Sequence, residues 1–157
     1  NKVRIGWELP TEQRVFKEEN GLQPCVISKE FTVSLHEKAT LRATLQSWRG
    51  KAFTDDEAKS FDIMNLLGAT CMINIIHKQG KKDPSKTYEE ISGITSLPKS
   101  MKCPPQENKM FVLSYDKFDW EAYASLPDFI KDKIKGRYQV IYTKNVKARK
   151  FYEKEII

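Results

Sequence analysis

The stretch ISKEFTVSLHEKATLRATLQSWRG, residues 27 to 50, begins with the alternation of a strand and ends with the spacing of a helix, with no linker between them. That join limits the folds open to the chain more than any other segment does. From Val26 the period of two puts Val26, Ser28, Glu30 and Thr32 on one face and Ile27, Lys29, Phe31 and Val33 on the other, which suits a sheet with one wet side. Ser34 with Glu37 is an S-x-x-E box, in which hydroxyl and carboxylate satisfy free backbone N–H groups reciprocally, so the spacing predicts a helix that starts at the join. Leu41, Leu45 and Trp48 then fall at i, i+4 and i+7 as an apolar stripe, while Lys38, Arg42 and Gln46 take the wet side. Gly50 supplies the residue that adopts left-handed geometry after the last turn.

Either side of this join the chain reads mostly as strand. Residues 2 to 9 alternate, with Val3, Ile5 and Trp7 facing one way and Lys2, Arg4 and Gly6 the other; LPTEQRVFKEENGLQPC is a polar connection broken by Pro10, Gly21 and Pro24. The chain opens directly in this strand, without an initiator Met, and the expectation is that a further strand precedes Asn1. Thr54 with Glu57 forms a second capping box, which starts a short helix. A turn at Gly68 leads into a strand where Cys71, Ile73 and Ile75 alternate against Met72, Asn74 and Ile76; with both faces largely apolar, it is expected to be central. The polar loop HKQGKKDPSK joins it to KTYEEISGITSLP as an antiparallel hairpin, Gly93 marks a bulge, and Pro98 ends the sheet.

The resulting order is strand, connection, strand, helix, strand, hairpin loop, strand. A mainly β protein with helices, built as a five-stranded Greek-key barrel of the OB type, has this order if one strand precedes Asn1. The helix would then close the end of the barrel. Residues 1 to 103 are assigned to this barrel domain and residues 104 to 157 to a helical extension with a basic tail. After Pro104 and Pro105, Phe118, Trp120, Tyr123, Leu126, Phe129, Ile130 and Ile134 make an aromatic-rich helical segment, and Pro127 suits the first turn of a second helix.

Composition excludes several classes. The three cysteines, Cys25, Cys71 and Cys103, lack the close pairs of zinc sites or disulfide frameworks, which points to a reducing cytosol. No apolar run approaches the roughly 20 residues of a membrane helix, and no signal-peptide pattern opens the chain. The net charge of +6 is uneven: residues 1 to 98 carry 14 Lys/Arg against 13 Asp/Glu, whereas residues 99 to 157 carry 13 against 8. Most of that excess lies in KGRYQVIYTKNVKARKFYEK, residues 135 to 154, which reads equally as a solvated terminus or a polyanion contact. No P-loop, G-x-S-x-G or H-E-x-x-H occurs, and His36 and His77 have no partners at metal-ligand spacing. The Asp55, Asp56, Glu57 cluster resembles a nuclease metal motif only in composition, because a helix N-terminus favours carboxylates without any metal. No catalytic residue, metal or cofactor is expected.

The stretches VRIGWELP, ISKEFTVSLHEKATLRATLQSWRGKAFTDDE, FDIMNLLGATCMINIIHK and KTYEEISGITSLPKSM resemble a family of bacteriophage-encoded proteins of replication and recombination gene regions. The resemblance spans roughly residues 2 to 130 and is strongest at SLHEK, SWRG and FDIMNLLG. It implies an OB-fold single-stranded-DNA-binding protein working in the host cytoplasm, with phage replication proteins as partners and possible assembly into homo-oligomers. The ending KNVKARKFYEKEII departs from the acidic tails common in such binders.

A barrel that holds single-stranded DNA needs aromatic faces for stacking, worth about 1–3 kcal/mol per base, and a basic groove for phosphates. Trp7, Phe31 and Tyr88 are the candidate rings. Trp7 and Phe31 also fit the core, since each shares a face with aliphatic residues. Tyr88 is better placed, beside Lys78, Lys81, Lys82 and Lys86 about the hairpin loop, and Arg4 and Lys29 are further candidates on strand faces. One other reading stays open, a module that holds a replisome or host-defence partner through residues 111 to 135. A metal-dependent nuclease, which would show magnesium-stimulated cleavage lost on Asp55→Ala, is not expected.

Overall fold

The computed structural model describes residues 2 to 135. They form a mixed α/β protein with two antiparallel sheets of two strands each. In chain order the elements are β1 (Lys2–Val15), β2 (Leu22–Thr32), α1 (Thr40–Arg49), α2 (Asp55–Ser60), β3 (Met72–Gln79), β4 (Thr87–Thr95) and α3 (Trp120–Ser125), with a further helix over 128–135. The chain divides into two units between Met110 and Phe111. The basic stretch from residue 136 onward lies outside the described residues.

Within the first unit, β1 pairs with β2 and β3 with β4. The expected faces of β1 and β2 are both present. Val3, Ile5 and Trp7 lie opposite Phe31, Lys29 and Ile27, and Lys2, Arg4 and Gly6 lie opposite Thr32, Glu30 and Ser28. Trp7, Phe31, Leu41, Leu45, Trp48, Phe53, Ala58, Ile91 and Ile94 form one core, on which α1 packs against both sheets. Trp7 and Trp48 meet with ring centroids 5.7 Å apart. Burying such side chains is the main favourable contribution to folding, about 1.5–3 kcal/mol for each large one.

Several expectations need correction. Pro10 does not end the first strand; β1 runs on to Val15 and makes a hairpin with β2 through a 3-10 turn, Glu18–Asn20. Its register slips between Leu9 and Gln13, so residues 10 to 12 bulge out where Pro10 has no N–H to give the ladder. Helix α1 starts at Thr40, after Ala39, and not at Ser34. Ser34 Oγ accepts from His36 N–H instead of capping, and Ala39 N–H donates to the His36 carbonyl at 2.8 Å. The Leu35 carbonyl is taken by Arg42 Nη1 at 3.2 Å, which draws this segment off a helical path.

Arg42 itself is buried rather than wet. Its guanidinium also donates to the Phe53 carbonyl at 3.0 Å and reaches Asp55 Oδ1 at 3.3 Å, so the chain returning from Gly50 folds over that face of α1. Strand β3 is not central, because β4 alone pairs with it among the described residues and Met72 and Ile76 stay exposed.

Other local readings match. Gly50 sits at φ 67°, and its N–H caps the end of α1. The Thr54/Glu57 box forms reciprocally, with Glu57 N–H on Thr54 Oγ1 at 3.2 Å and Thr54 N–H on Glu57 Oε2 at 2.9 Å. Hydrogen bonding from Thr54 N–H, with Lys51 and Arg49 nearby, brings the Glu57 carboxyl down to about 2. Ser92, next to Gly93, is the unopposed residue of a bulge, since Asn74 faces Gly93 while Ile75 faces Ile91. Finally, β2 approaches β4, where Lys29 Nζ donates to the Ile91 carbonyl at 3.3 Å.

Candidate nucleic-acid interface

Antiparallel pairing decides which hairpin residues can meet a ligand. In β3 and β4, Lys78 lies opposite Tyr88 and Ile76 opposite Glu90, all on one side of the sheet; Ile91 and Ile94 point to the other side and are buried in the core. Tyr88 is thereby turned away from the core and keeps 54% of its surface exposed. Lys81 and Lys82 extend the basic character of this side into the connecting loop.

The loop is built rather than loose. Asp83 Oδ1 accepts from Ser85 N–H at 3.1 Å and from Ser85 Oγ at 2.6 Å, an Asx-type turn, and Gly80 N–H donates to the Lys86 carbonyl at 2.8 Å. Of the four lysines, Lys78 pairs with Glu90 at 2.9 Å and Lys86 lies 3.7 Å from Asp83. Hydrogen bonding and charge from Lys78 hold the Glu90 carboxyl below the ordinary range. Lys81 and Lys82 form no ion pair within the described residues, so a phosphate can meet them without displacing a carboxylate. The D-P-S turn signals Asp83 in the sequence, whereas nothing local singles out Glu90.

The first hairpin distributes its candidates differently. Trp7 and Phe31 are core residues, 7% and 3% exposed, and offer no open ring face to a base. The alternation of β1 and β2 explains this, since both rings sit on the side that α1 covers. Lys29 shares that side, with its ammonium 5.8 Å from the Phe31 ring centroid. Arg4 lies on the open side but is held by Ser28 Oγ and Glu30 Oε2, both at 3.2 Å, and Lys2 binds the same Glu30 at 2.8 Å. The structure therefore places Tyr88, Lys78, Lys81, Lys82 and Lys86 on one hairpin and keeps Trp7, Phe31 and Arg4 apart from them, while Lys29 reaches across to β4 at the Ile91 carbonyl and adds to the positive field on Glu90.

The acidic cluster at α2 is occupied structurally: Asp55 pairs with Arg42, and Glu57 caps its own helix and meets Arg49 and Lys51 at 3.3 Å. No group of three or more His, Cys, Asp and Glu side chains among the described residues could hold a metal ion. No described helix is long and apolar enough to cross a membrane. Comparison with family models, with curated proteins and with solved structures gives no match.

Proposed function

We propose that this chain is a non-catalytic single-stranded-DNA-binding protein of phage replication or recombination, acting in the host cytoplasm, and that the β3–β4 hairpin is its contact surface. The observation that carries the reading is the exposed Tyr88 ring, on the side of the sheet away from the core, opposite Lys78 and at the root of a loop with three more lysines. A ring so placed stacks on any base, and ammonium groups beside it neutralise phosphates, which gives binding with little base preference. The element order supports an OB-type barrel: two hairpins flank α1, and β2 comes near β4, although no ladder joins the two sheets among the described residues.

A salt titration of a fluorescent oligonucleotide tests this. Affinity is expected to fall steadily with salt, with a slope set by the number of phosphates neutralised. Binding that is absent, or indifferent to salt, would refute the assignment.

A second reading has its own observation. In the second unit Phe111, Tyr115 and Phe129 are 45%, 47% and 55% exposed, and the same unit holds a cluster in which Phe118 lies 4.7 Å from Trp120 and 5.5 Å from Tyr123. Exposed aromatics of this density suit a protein partner, such as a replisome or host-defence component. Deleting residues 111 to 135 should then abolish co-purification of that partner and leave oligonucleotide binding intact.

A further inference from the structure

Gly80 opens the loop between β3 and β4, and its backbone does not require glycine, since among the described residues only Gly21, Gly50 and Gly68 have positive φ. What it lacks is room. A Cβ at this position would stand 2.7 Å from Tyr88 Cε2, 2.7 Å from the Asp83 carbonyl oxygen and 3.4 Å from the Lys86 carbonyl oxygen. Gly80 is buried, although both strand ends around it are exposed, because the Tyr88 ring and the loop close over it. Tyr88 thus leans along the sheet toward the loop and rests one edge on bare backbone.

We infer that Gly80 is a positioning residue for Tyr88: the missing side chain lets the ring lie down at the loop, beside Lys81 and Lys82, with its remaining surface free for a base. This rests on the reading of Tyr88 as a stacking platform. A stacked base and the phosphates flanking it are held close together, so the ring must sit within one nucleotide of the ammonium groups to act with them. Any side chain at residue 80 would lift the ring away from the loop, and the Asp83 carbonyl would have to shift with it, while the exposed Lys81 and Lys82 stay open to solvent. The consequence is an unequal loss between two components of affinity, with stacking reduced far more than phosphate neutralisation.

The test uses the full chain with Gly80→Ala, Tyr88→Leu and the double variant. Each is titrated against a labelled thymidine oligonucleotide and against an abasic strand of the same length, over a range of salt. Tyr88→Leu should weaken oligonucleotide binding by roughly five- to a hundredfold, the range for one lost stack. Gly80→Ala should weaken it about fivefold or more. The double variant should bind about as weakly as Tyr88→Leu alone, and binding to the abasic strand and the salt slope should change far less than binding to the oligonucleotide throughout. The double variant also controls for folding, because an unfolded loop would lose phosphate contacts and flatten that slope. Normal binding by Gly80→Ala alongside weak binding by Tyr88→Leu would overturn the inference and leave the platform standing. Equal losses on oligonucleotide and abasic strand would overturn it too, by showing that Gly80 serves the loop as a whole. Normal binding by Tyr88→Leu would remove the platform and the inference together.

Discussion

The two hairpins of the first unit are both antiparallel and both carry aromatic and basic residues, yet they spend them in opposite ways. In β1 and β2 the rings of Trp7 and Phe31 turn inward under α1, and the outward cations Lys2 and Arg4 are bound to Glu30. In β3 and β4 the inward positions near the core are aliphatic, Ile91 and Ile94, and the ring of Tyr88 points out among lysines, two of them without an ion pair in the described part of the chain. The difference shows that residue type does not separate a ring spent on the core from one left open to solvent. Parity relative to the core does, and in a strand a shift of one residue reverses it.

That contrast can be broken most forcefully at the core. Trp7→Ala or Phe31→Ala should destabilise the protein by about 3–5 kcal/mol in chemical denaturation, through lost burial and a residual cavity. Trp7→Phe should cost much less, because Trp7 Nε1 is buried without a hydrogen-bond partner in the described residues, whereas Trp48 Nε1 donates to the Thr70 carbonyl at 2.9 Å. Next in size, Tyr88→Leu should lower oligonucleotide affinity by about 1–3 kcal/mol while moving stability by no more than about 0.5 kcal/mol. If stability moved more than affinity, Tyr88 would belong with Trp7 and the contrast would fail.

Charge sharpens the same comparison. Lys81→Ala with Lys82→Ala should reduce the salt slope by about one unit per lysine and weaken binding to all sequences alike. Arg4→Ala, which removes a guanidinium already held by Glu30, should leave the slope unchanged. The smallest effect is expected at Glu90. Glu90→Gln frees Lys78 and should tighten binding roughly two- to fivefold at low salt, as befits an exposed pair. Glu89→Gln removes the same charge from the opposite side of β4, so an equal gain there would mean that only net charge matters.

Much of this division was readable in the sequence where it depends on local period. The alternation of residues 26 to 33 placed Phe31 with Ile27 and away from Glu30, and the loop position of Tyr88 among lysines set it apart from Trp7 and Phe31. The Thr54/Glu57 box, the left-handed Gly50 and the bulge beside Gly93 were legible because each rests on two or three neighbouring residues. The misreadings all involve contacts or irregularities outside the few neighbouring residues that a period or a capping box spans. The Ser34 box failed because Arg42, buried by the loop that returns to Phe53 and Asp55, claims the Leu35 carbonyl. The first strand passed Pro10 because a bulge absorbed the missing donor. Gly80 looked like an ordinary loop glycine, since only the fold brings the Tyr88 ring over it.

The account turns on where an unpaired base rests. A thymidine-like oligonucleotide carrying 5-iodouracil, irradiated with the full chain and followed by peptide mapping, reports that position directly, because the photoadduct forms on the ring stacked against the modified base. The adduct is expected on Tyr88. An adduct confined to residues 111 to 135 or to the β1–β2 hairpin, or no adduct under conditions where the oligonucleotide is bound, would contradict it.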